Sequence, residues 1–65
     1  MFTRELYREY FGQVLALELA MLKEARQLAA LAPDSESKRV LELIAADEER
    51  HASMAAELLR LAGGE

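Results

Sequence analysis

The sequence predicts an all-α fold, an antiparallel two-helix hairpin, and three observations predict it. Ala, Leu, Glu and Arg dominate while Thr, Val and Ile are rare, so helix formers outweigh strand formers. Apolar residues recur at alternating spacings of three and four, the stripe that a packed helix buries. Only one interior segment, Ala32-Pro33-Asp34-Ser35, interrupts that pattern.

The first helix is expected to start near Thr3, an N-cap residue with Glu5 well placed in the first turn. It should run to about Leu31. Pro33 cannot continue a helix, and Asp34 or Ser35 can cap the next one. The second helix is expected from about Glu36 to Ala62, where Gly63-Gly64 ends it. A short turn over 32–35 between long helices gives a hairpin, so residues 1–65 form a single unit. Gly12 is the one glycine inside a helix and costs up to about 1 kcal/mol there. Close backbone packing would explain it, and so would a neutral position.

Size and charge exclude much. Chains below about 70 residues usually need a disulfide, a metal or a partner chain to complete their core. The 65 residues contain no cysteine, which removes disulfides, thiolate metal sites and thiol catalysis. A net charge of −4 with scattered basic residues argues against nucleic acid as a partner. No apolar run approaches the roughly 20 residues of a membrane span. The opening Met-Phe-Thr-Arg-Glu-Leu-Tyr lacks a signal-peptide core, so a cytoplasmic protein is the expectation.

The apolar seams carry the functional signal. The first reads Tyr7, Phe11, Val14, Glu18, Met21, Ala25, Leu28, and the second Leu41, Ile44, Glu48, His51, Ala55, Leu58. Three ionisable residues, Glu18, Glu48 and His51, therefore stand where hydrophobes are expected. Carboxylates on such a stripe cost several kcal/mol unless something neutralises them. At about 1.5 Å per residue, Glu18 and Glu48 both lie roughly 21–24 Å from Asp34. Glu48 and His51, three apart, share a helix face. All three are expected in one layer, with Glu49 and Arg50 pointing into solvent.

A second apolar stripe flanks each seam: Leu15, Leu19 and Leu22 on the first helix, and Val40, Leu43, Met54 and Leu61 on the second. One hairpin cannot bury both stripes, so a homo-oligomer, a dimer or larger, is expected. A second hairpin turned end for end makes a four-helix bundle whose central layer holds four carboxylates and two imidazoles. Two divalent cations neutralise those four charges, and bridging carboxylates can hold them about 3.5–4 Å apart. Oxygen-rich ligation with one nitrogen per ion suits iron or manganese, with iron the expected metal.

Glu18, followed on the next helix by Glu48-Glu49-Arg50-His51, resembles the ferritin-like di-iron carboxylate proteins, which pair single Glu ligands with Glu-x-x-His motifs on a four-helix bundle. The run Asp47-Glu48-Glu49-Arg50-His51-Ala52-Ser53-Met54 looks especially like rubrerythrins and the small encapsulated ferritins. The resemblance spans the whole chain but only half of a usual ferritin-like domain. It implies a di-iron protein with ferroxidase activity, in which Glu18 bridges or chelates the metals, Glu48 bridges them and His51 is the terminal nitrogen ligand. The chain departs from the family in three ways. It lacks the four cysteines of a rubredoxin-like centre, and it shows no shell-targeting tail after Gly63-Gly64-Glu65. Leu17 and Ala20 stand where acidic residues for metal access are usual.

A plainer reading stands beside this one: a non-catalytic metal-binding or structural oligomerisation module, its Glu–His layer fixing helix register. That layer leaves one carboxylate unpaired. Tyr7, Tyr10 and Phe11 are read as end-of-bundle packing and Met54 as a gap filler beside the site. Asp47, one turn before His51, can orient the imidazole or stand as a solvated charge.

Overall fold

The computed structural model describes residues 3–63 and contains two helices, α1 (Arg4–Ala30) and α2 (Ser35–Leu61), packed on each other as a hairpin. No strand occurs among the described residues. Local chemistry sets each boundary. Thr3, extended in backbone, accepts the Leu6 amide on Oγ1 at 3.1 Å and opens α1. The amides of Leu31 and Ala32 bond back to the last turn, and Pro33 ends it. Asp34 then caps α2, its Oδ1 accepting the Ser37 amide at 2.6 Å and its Oδ2 the Ser37 hydroxyl at 3.1 Å. Gly63 closes α2 with φ of 81°, left-handed backbone that suits glycine. Gly64, the other half of the expected stop, lies outside the described residues.

The contact between the helices is narrower than the seams suggested. Leu22, Ala25 and Ala29 of α1 are buried against Ala45, Ala52 and Ala55 of α2, with Glu48 buried among them. Alanines let two helices approach closely, so small residues take the contact line and bulky ones are pushed to its edge. Leu22 and the half-buried Leu15, expected on the flanking stripe, therefore belong to the internal contact. Tyr7, Met21, Leu28, Ile44 and Leu58, expected in the seam, are all more than 40% exposed.

Those displaced residues continue a regular stripe on each helix. On α1 it runs Tyr7, Tyr10, Val14, Leu17, Met21, Leu28, Leu31, and on α2 Val40, Ile44, Asp47, His51, Met54, Leu58, Leu61. The α2 stripe keeps three-and-four spacing throughout and the α1 stripe is broken only at Glu24, between Met21 and Leu28, and both flank the contact line on the same side, since Tyr10, Val14, Met54 and Leu58 line one groove. The opposite side mixes charged residues with alanines and the exposed Leu19. There Arg26 and Glu49 pair across the hairpin at 2.5 Å, beside Lys38 and Glu42. The hairpin thus has one largely apolar face, interrupted by Asp47 and His51, and one face on which its charged pairs lie. Gly12 has open space where a Cβ would sit, so close packing within the hairpin does not account for it.

Candidate metal centre

Glu18 stands midway along α1, while Glu48 and His51 stand one turn apart near the middle of α2. The antiparallel register brings the three to one level. His51 Nδ1 lies 3.3 Å from Glu48 Oε1 and 3.5 Å from Glu18 Oε2. One donor atom from each residue falls within 4.8 Å of the others.

Burial grades across the cluster. Glu48 is 8% exposed, the deepest polar residue among those described. The Glu18 side chain is 18% exposed and that of His51 is 43% exposed. The site therefore sits under the apolar face and opens onto it through the imidazole. Val14, Met54, Ala55 and Leu58, with Tyr10 and Phe11, line the adjoining groove of about 280 Å³.

Two atoms make the arrangement costly as it stands. Glu18 Oε2 and Glu48 Oε2 are buried and make no hydrogen bond. A buried acceptor left unsatisfied costs about 1–3 kcal/mol, and more when charged. Two carboxylates and one imidazole carry two negative charges with the imidazole neutral, a donor set that fits a divalent cation with oxygen preference. The orphaned oxygens of two carboxylates that meet at one imidazole are what such an ion would satisfy.

The neighbours behave differently from the ligand set. Glu49 leaves the site for Arg26 on the charged face, and Arg50 bonds Asp47 at 3.0 Å. The hydrogen bond seen for Asp47 is thus from Arg50, not from its own helix's imidazole. The Arg26–Glu49 pair, which ties the helices together close to the site, had no signature in the sequence. Arg26 is about 12 Å from the turn and Glu49 about 22 Å, and only two long side chains close that gap. At the open end Tyr7 and Phe11 stack with ring centroids 5.9 Å apart, and Tyr10 meets Phe11 edge-on at 5.5 Å.

Comparison with protein-family models, with curated proteins and with solved structures finds no match to this chain. No described helix is long and apolar enough to cross a membrane.

Proposed function

We propose that two copies of this hairpin close face to face into a ferritin-like four-helix bundle holding two iron ions, with Fe(II) oxidised by oxygen or peroxide. The observation that carries this reading is that Glu18 and Glu48, each with one buried carboxylate oxygen that makes no hydrogen bond, converge with His51. Each copy brings two carboxylates and one imidazole, so a pair supplies four charges for two divalent ions. Glu48, the most buried, and Glu18 would hold the ions through their carboxylates from α2 and α1, and His51 would supply a nitrogen ligand. Val14, Met54, Ala55 and Leu58 keep bulk water from the layer. Bound iron supplies the redox chemistry, one electron per Fe(II), two of which reduce oxygen to peroxide with uptake of two protons. Manganese suits the same ligands, and a cytoplasmic, reducing setting belongs to this reading.

A second reading has its own support. His51 Nδ1 stands within 3.5 Å of both carboxylates, as an imidazolium fixing helix register would. The bundle would then be a structural module without metal chemistry. Oxygen uptake on adding Fe(II) under air decides between them. Uptake in proportion to protein, lost in His51→Ala, supports the iron centre, and no uptake above the buffer rate supports the structural module.

A further inference from the structure

The groove beside the cluster holds one reactive side chain that has no part in holding iron. Met54 lies three residues past His51 on α2, so the two share a helix face. Long side chains on a helix lean toward its N-terminus, which directs Met54 back toward His51. Both line the same groove, together with Glu18 from α1. Within the cluster His51 is the most exposed side chain, whereas Glu18 and Glu48 are largely buried. A small molecule that leaves the cluster on the apolar face therefore passes Met54.

Chemistry singles Met54 out from its neighbours. Beside the two ligands, the groove is otherwise lined by Tyr10, Phe11, Val14, Ala55 and Leu58. Hydrocarbon side chains are inert to peroxide, a phenol gives up one electron at a time, and the chain has no cysteine. A thioether takes an oxygen atom in a single two-electron step. We propose that Met54 is a modification site, converted to the sulfoxide by the peroxide formed at the cluster, so that each chain consumes peroxide before it escapes. The sulfur lone pair attacks one peroxide oxygen, and the S–O bond forms as the O–O bond breaks. The proton on the transferred oxygen passes to the leaving oxygen, which departs as water. Sulfur is oxidised by two electrons and peroxide is reduced by two. The inference rests on the iron chemistry proposed above and gives its product a fate. Met21 supplies an internal comparison. It lies three residues past Glu18 and is 45% exposed against 52% for Met54, but it does not line the groove. Peroxide arriving from solution meets both methionines, while peroxide released into the groove meets Met54 first.

The test loads the full chain with Fe(II) without oxygen, admits air with catalase in solution, and locates added oxygen by peptide mass spectrometry. Oxygen uptake is recorded on the same sample. Metal-free protein treated with hydrogen peroxide gives the intrinsic reactivity of each methionine. Most Met54 should gain one oxygen atom, which carries the label when isotopically heavy oxygen gas is used. The ratio of Met54 to Met21 oxidation should exceed that of the peroxide-treated protein several-fold, and catalase should not lower it. Three results overturn the inference and leave the iron centre standing: oxygen uptake with Met54 unchanged, with a ratio equal to that of the peroxide-treated protein, or with oxidation abolished by catalase. No uptake above the buffer rate overturns the iron chemistry and this inference with it.

Discussion

Glu18 and His51 meet across the hairpin with Oε2 and Nδ1 3.5 Å apart, although no hydrogen bond satisfies that carboxylate oxygen. The two helices have been brought into register around a group that the hairpin alone does not satisfy. The consequences are open to direct measurement.

Ligand removal comes first. Glu48→Ala or His51→Ala should abolish tight binding of Fe(II) or Mn(II), since each side chain is used twice in the proposed bundle. Metal-to-protein ratio after desalting checks this. An unchanged ratio in His51→Ala would refute the ligand assignment.

Stability of the metal-free protein should move the other way at Glu18. Glu18→Leu replaces a largely buried carboxylate, with one oxygen unsatisfied, by an apolar side chain of similar reach. A gain on the order of 1 kcal/mol is expected in chelator, together with loss of the metal-dependent increment. A destabilised metal-free Glu18→Leu would mean that the carboxylate is compensated in a way that this cluster does not provide.

The helices themselves were legible in the sequence because their signals are local. Thr3, Pro33 and Asp34 act within one turn of where they stand, and α1 and α2 begin and end within a residue of the expected limits. The grouping of Glu18, Glu48 and His51 was legible too, since helix rise and a short turn fix relative height. Rotation about each helix axis was not. Met21, Leu28 and Ile44 were expected in the seam and stand at its edge, while the contact line keeps the expected Ala25 and Ala55 and adds Ala29, Ala45 and Ala52, which permit the closest approach. The Arg26–Glu49 pair escaped for the opposite reason, its reach residing in side chains rather than in backbone register.

Metal and pH should act together. Carboxylate and imidazole ligands bind metal only when deprotonated, so protons compete with the ion. Excess Mn(II) should raise the melting midpoint at about pH 7.5, and the increment should vanish by about pH 5, where histidines ordinarily gain a proton. A structural Glu–His layer predicts the reverse, with stability greatest where the imidazole is protonated and the carboxylates are ionised, and indifference to chelator. Melting curves at both pH values, with metal and with chelator, separate the two.

The cap of α2 gives a prediction independent of metal. The Ser37 amide and hydroxyl hydrogen bonds hold the Asp34 carboxyl below its usual value of 3.8. A carboxyl with a lowered folded-state value stabilises the protein above the unfolded value, and that contribution is lost as pH falls through the folded one. Asp34→Ala should therefore melt earlier than the parent at neutral pH, with Asp34→Asn close to the parent. The difference between parent and Asp34→Ala should shrink below about pH 4, as measured by circular dichroism melts.

Native mass spectrometry of the protein loaded with Fe(II) without oxygen tests the central claim most directly, because it counts subunits and metal ions in one particle. A dimer, or a multiple of dimers, carrying two iron ions per pair of chains is expected, with the ions lost together when His51 is replaced. A monomer, or an assembly that remains free of metal at saturating Fe(II), would contradict it.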